Sequence, residues 1–80
     1  MHDLGVLFEI VKSVDRIREQ NQIPQVKHIA LEVGEASGFV PAYLTKLFPV
    51  AADGHPALKK TRLEIHTVPG RGLVIREIGY

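Results

Sequence analysis

The sequence predicts an α+β domain of two layers, in which two helices pack on one face of a three-stranded sheet. Three observations carry this prediction. Apolar residues recur at helical spacing near the amino terminus and again after Pro41. Elsewhere they alternate with polar ones at the spacing of a strand, and Gly- or Pro-containing stretches separate the runs. The resulting order is helix, strand, helix, strand, strand.

Leu4, Leu7, Ile10, Val11, Val14 and Ile17 fall on one side of a helix spanning about residues 3–20, while Glu9, Lys12, Asp15, Arg16 and Glu19 mostly face away. Asp3 suits the positive end of that helix, and Asn21 and Pro24 stop it. Ile29, Leu31 and Val33 then alternate with His28, Ala30 and Glu32, the pattern of a strand with one buried face. Residues 34–38 turn the chain. Pro41 fits the first turn of a second helix, whose Leu44, Leu47, Phe48 and Ala51 face inward. Pro49 lies inside this helix and removes a backbone donor, so a kink or an early end is expected there. Asp53-Gly54 ends the helix, and residues 55–60 form a loop.

Leu63, Ile65 and Thr67 alternate with Arg62, Glu64 and His66 in the second strand. The third strand, residues 73–78, begins with the apolar run Leu73-Val74-Ile75 and alternates less cleanly, so its register stays open. Pro69-Gly70-Arg71-Gly72 between these strands suits a tight reversal. So short a link cannot make a parallel crossover, and the last two strands are expected to pair as an antiparallel hairpin.

Eighty residues make a single domain, residues 1–80, with one modest core. The absence of cysteine excludes disulfides, thiolate zinc sites and cysteine nucleophiles. Apolar runs are too short to span a bilayer, and no basic leader precedes a long apolar stretch. A cytoplasmic location with no membrane partner is therefore expected. Ten basic and nine acidic residues are well mixed. The densest basic stretch, Lys59-Lys60-Thr61-Arg62, is short and has no aromatic for stacking, so no nucleic-acid partner is expected. No phosphate-cradling glycine loop or nucleophile–base spacing argues for an enzyme.

Three stretches carry a family likeness. "MHDLGVLFEIVKSV" at residues 1–14, "IALEVGEASGFVPAYL" at 29–44 and "TRLEIHTVPG" at 61–70 resemble the HypA/HybF family of nickel metallochaperones. These are accessory proteins for maturation of nickel–iron hydrogenase and, in some organisms, urease. The family opens Met-His-Glu, and Asp3 keeps the acid in shorter form. Its Leu-Glu-x-Gly-x-x-Ser pattern reads here Leu31-Glu32-Val33-Gly34-Glu35-Ala36-Ser37. The family also inserts a zinc module with paired Cys-x-x-Cys motifs between its last two strands. Here only residues 69–72 stand at that point, and "LVIREIGY" resembles the family's final strand.

The resemblance implies a nickel-binding domain without its zinc module, so nickel(II) is expected and zinc is not. Removal of the module by design is the leading reading; a natural zinc-less relative is the alternative. Implied partners are a maturation GTPase or other hydrogenase or urease accessory proteins. The competing function is an interaction module that keeps the fold and binds no metal.

The resemblance places the metal at the amino terminus, and the residues there permit it. The terminal amine of Met1 and the backbone nitrogens of His2 and Asp3 can form two fused chelate rings, with the His2 imidazole at the remaining position. Four nitrogens in a plane suit nickel(II), and copper(II) at least as well. Metal must displace protons from these groups, so affinity rises with pH. Asp3 can also orient the imidazole without binding metal through its own side chain. His28 and His66 on polar strand faces, and His55 in a loop, read as surface residues. Glu32, Glu35 and Ser37 read as strand and turn residues, and Tyr43 and Phe48 as packing.

Overall fold

The computed structural model describes residues 2–80, and of His2 the backbone alone. Its elements are α1 (His2–Gln20), β1 (His28–Gly34), α2 (Pro41–Ala52), a single 3-10 turn (Pro56–Leu58), β2 (Arg62–Val68) and β3 (Leu73–Gly79). The order and the two-layer α+β class are those the apolar spacing predicts. Leu7, Ile10, Val11 and Val14 of α1 meet Leu44, Phe48, Ala51 and Ala52 of α2 and Ile29, Leu31 and Val33 of β1 in one core. Val26 and Leu58, from the connections, close its end.

Local chemistry explains where the helices stop. After α1, Ile23 donates its N–H to the Arg18 carbonyl at 2.9 Å, and the Arg18 guanidinium donates back to the Ile23 carbonyl at 3.0 Å. Gln22 accommodates that reversal with φ of 55°. The second helix continues through Pro49 to Ala52 and is capped at Asp53, so the early end is not seen and Asp53-Gly54 ends it as predicted. Pro49 removes one bond to the Thr45 carbonyl, while Phe48, Ala51 and Ala52 on either side of it are buried. Packing of an apolar face outweighs one lost helical bond.

The sheet corrects the expected hairpin. Its strand order is β2-β1-β3, so the last two strands do not pair with each other. β1 lies between them, parallel to β2 from His28↔Arg62 to Gly34↔Val68 and antiparallel to β3 from His28↔Gly79 to Val33↔Leu73. The parallel crossover is made by α2, which is long enough for it. The four-residue link then steps over the end of β1, across two strand spacings of about 4.8 Å each. Three bonds hold it there: Gly34 N–H to the Gly72 carbonyl at 2.7 Å, Glu35 N–H to Val68 at 2.7 Å and Ala36 N–H to Gly70 at 2.8 Å. Backbones approach so closely that a Cβ on Gly34 would strike the Gly70 carbonyl.

β1 is central because it is apolar enough to be central. Ile29, Leu31 and Val33 face the helices, and Ala30 on the other face is also buried. The imperfect alternation in β3 has a structural cause. Ile75 pairs with Leu31 and Glu77 with Ala30, which leaves Arg76 as the extra residue of a β-bulge. Ile75 and Ile78 thereby both reach the core although they are three residues apart. Among the described residues, no helix is long and apolar enough to cross a membrane.

Candidate metal centre

Of the proposed ligand residues, the structure describes the His2 backbone and Asp3, which lie where α1 begins. Met1, with its terminal amine, lies outside the described residues. His2 is the first helical residue, so the amides of His2 and Asp3 belong to the first turn. Amides in a first turn have no carbonyl four residues back and point out of the helix unpaired. The helix end itself carries partial positive charge, which opposes a cation, and the acidic Asp3 in that turn offsets it.

Asp3 is half-buried, and its Oδ2 is buried without a hydrogen-bond partner among the described residues. Buried carboxylate oxygens normally find a partner, so an orphan beside a potential metal ligand fits a site completed by something further. A depression beside it is lined by Asp3, Tyr43, Lys46 and Leu47. Residues of α2 therefore stand beside Asp3 in the first turn of α1. Tyr43 is mostly exposed rather than packed, whereas Phe48 is buried as expected. Neither Tyr43 nor Lys46 could be placed beside Asp3 from sequence, because helix–helix contact leaves no mark in local spacing.

The other histidines are less solitary than a surface reading allows. His55 places Nδ1 2.7 Å from Asp15 Oδ2, and Arg18 donates from Nε to Asp15 Oδ1 at 2.6 Å. Because a carboxylate only accepts, the His55 nitrogen facing it carries the proton. Burial pushes the Asp15 carboxyl up, but the hydrogen bonds from His55 and Arg18 and their charges outweigh it, leaving Asp15 below its usual value. This trio ties α1 to the segment after α2. On the uncovered face of the sheet, His28 Nε2 lies 3.4 Å from Glu77 Oε1 and 3.8 Å from Glu64 Oε2. His66 approaches Glu64 at 3.9 Å, and Arg76 approaches Glu32 at 3.8 Å. Ser37 serves the turn as expected, accepting the Phe39 N–H on its hydroxyl at 3.2 Å.

The described residues form a small α+β domain of two helices on a three-stranded sheet, with His2 at the head of its first helix. The chain belongs to the HypA family, whose model, "hydrogenase/urease nickel incorporation, metallochaperone", matches residues 1–73. That is a family of metallochaperones and not of enzymes. Among curated relatives, the hydrogenase maturation factor HypA of Trichodesmium erythraeum is 35% identical over 72 residues, covering 90% of this chain and 60% of that protein. HypA of Streptomyces avermitilis is 32% identical over 72 residues, covering 89% of this chain and 54% of its own length. The chain thus spans somewhat over half the length of the relatives it matches. The solution structure of the nickel metallochaperone HypA from Helicobacter pylori superposes with a TM-score of 0.76 at 12% identity, over 94% of this chain and 70% of that one. A second HypA solution structure gives 0.74 at 13% identity, over 98% of this chain and 90% of that one. These two likenesses establish the shared fold.

Proposed function

We propose that this chain is a nickel-binding domain that takes one nickel(II) ion at its amino terminus and passes it to a hydrogenase or urease maturation partner, a GTPase being the leading candidate. The ligands are the Met1 amine, the backbone nitrogens of His2 and Asp3, and the His2 imidazole. The start of α1 at His2 is the observation that carries this reading. A planar chelate ring through two successive backbone nitrogens needs an N–Cα–C–N torsion near zero. Helical residues hold that torsion near −42°, whereas a strand holds it near +135°. A first helical turn with unpaired amides is therefore the better starting conformation, needing roughly 40° of local adjustment.

The four-residue link supports a second part of the proposal, that the domain lacks the family's zinc module. The family match stops at residue 73, where β3 begins, and residues 69–72 leave no room for paired Cys-x-x-Cys motifs. Nickel is cargo here, so the site's task is to bind and release rather than to catalyse.

Isothermal titration of the untagged chain tests the reading. One nickel per chain is expected, weakened at least tenfold by His2→Ala and by acetylation of Met1, which remove proposed ligands. Asp3→Ala should fall between these and the parent, because it keeps its backbone nitrogen and loses only its carboxylate. His28→Ala and His66→Ala should leave this tightest site as it is. Unchanged nickel affinity in His2→Ala would overturn the site, and absence of any binding would favour a metal-free interaction module.

A further inference from the structure

We propose that β3 is a dimerisation edge, on which the β3 of a second copy of this chain pairs antiparallel, with Arg76 of each copy opposite Glu77 of the other. In the strand order β2-β1-β3, β3 has β1 on one side and, among the described residues, no strand on the other. The backbone donors and acceptors along such a free edge are a template for a further strand. Leu73–Gly79 contains no proline or lysine to blunt that edge. Beside it, Val6, Glu9, Ile10 and Ser13 of α1 line a mostly apolar groove with Leu73, Val74 and Ile75, and Val74 is 53% exposed.

The β-bulge at Arg76, a device that commonly discourages edge pairing, here selects the partner. In a regular strand Arg76 and Glu77 would point to opposite faces. Because of the bulge both line the depression over Ala30 on the uncovered face, while Leu73, Ile75 and Ile78 pack toward the core. Residues directly opposite in an antiparallel pair share a face. Two β3 strands related by a two-fold axis meet this condition with Arg76 opposite Glu77. Ile75 then lies opposite Ile78, inward against inward, and the charges meet outward against outward. Both strands carry the same extra residue at the same place, so neither falls out of step. Slipping the register by one or two residues either way sets an inward side chain against an outward one.

Two-fold symmetry repeats each contact, giving two Arg76–Glu77 pairs and two Ile75–Ile78 pairs. A strand that matches itself in this way specifies a second copy of this chain rather than an unrelated strand. Within one copy the charges are loosely engaged. Arg76 Nε lies 3.8 Å from Glu32 Oε2, and Glu77 Oε1 lies 3.4 Å from His28 Nε2. The Arg76 and Glu77 side chains are 52% and 67% exposed, so both can turn toward a partner. Opposite charges across such a pair stabilise it, and like charges there oppose it.

Sedimentation velocity of the full chain over a concentration series, in excess chelator, tests the proposal. Chelator removes any metal shared between copies, so this outcome is separate from that of the amino-terminal site. A monomer–dimer equilibrium is expected. Arg76→Glu and Glu77→Arg should each weaken it at least tenfold, because each sets like charges opposite one another. The double variant, Arg76→Glu with Glu77→Arg, should restore it. Thr67→Glu, on the other edge strand, should dimerise as the parent does. In a mixture of isotope-labelled and unlabelled chains, NMR contacts between Ile75 of one copy and Ile78 of the other are expected. Circular dichroism of each variant confirms that it folds. A monomer at millimolar concentration, a dimer indifferent to the single charge reversals, a double variant that stays monomeric, or a dimer lost in Thr67→Glu overturns the proposal.

Discussion

At the scale of single residues, the Asp15 trio offers the sharpest energetic test. Its carboxylate accepts from His55 and Arg18 and holds α1 against the loop after α2. Hydrogen bonds to a charged group contribute about 1.5–3 kcal/mol when well shielded, and partial exposure here brings the contribution below that range. Asp15→Asn should therefore cost about 1 kcal/mol in urea unfolding at neutral pH. The sign of the pH dependence follows from the lowered folded-state value. The contribution is complete above the ordinary aspartate range and is lost as pH falls through the folded value, where both states become protonated. The stability gap between parent and Asp15→Asn should accordingly shrink in acid; a gap constant down to the acid transition would remove this role. None of it was legible in sequence, because Asp15 and His55 stand 40 positions apart. The same holds for Glu64 and Glu77 around His28, whose meeting depends wholly on strand order. His2 differs: its helical start lies within one residue of the boundary the apolar spacing predicts, but its assignment as a ligand rests on family resemblance.

At the scale of elements, spacing located both α-helices and all three strands, passed over the 3-10 turn Pro56–Leu58, and gave β2 and β3 the wrong partner. Alternation reports which face of a strand is buried, and it carries no record of which neighbour lies alongside. A four-residue link made a hairpin the natural expectation for β2 and β3, yet it is also long enough to step across one intervening strand. Ala30 was the available hint, an apolar residue on what would otherwise be the polar face of β1. Amide contacts between β1 and β2 in NMR spectra, in the parallel register Ala30↔Glu64 and Leu31↔Ile65, should be found, with none directly between β2 and β3. The close crossing at Gly34 yields a second expectation. Gly34→Ala forces the link away from β1 and should cost about 1–3 kcal/mol, the usual penalty for overpacking. Gly54→Ala, where a Cβ meets open space, is the control and should cost far less. Equal thermal stability of the two variants would mean that the link yields freely.

At the scale of the whole molecule, the core is apolar and continuous across both helices and the central strand, so folding should not depend on metal. Leu7, Val11, Val14, Ile29, Leu31 and Leu44 are fully buried, which is the burial a domain of this size relies on. Circular dichroism and the unfolding midpoint should be the same in excess chelator as without it, and loss of structure would contradict this. Leu31→Ala, by contrast, empties the middle of the central strand and should cost about 2–5 kcal/mol.

The step over β1 also determines where this fold can host a guest. Both stems of the link are tied to residues 34–36 by backbone hydrogen bonds, so they stay fixed whatever the tip between them does. New sequence spliced in after Gly70 leaves one anchored stem and returns to another, at the end of the sheet and clear of every strand pair. Lengthening a loop that is already closed costs little, about 0.6 kcal/mol for each doubling. An independently folding module can therefore be gained or lost at this single joint across evolution or by design, while the register of all three strands and the head of α1 remain as they are.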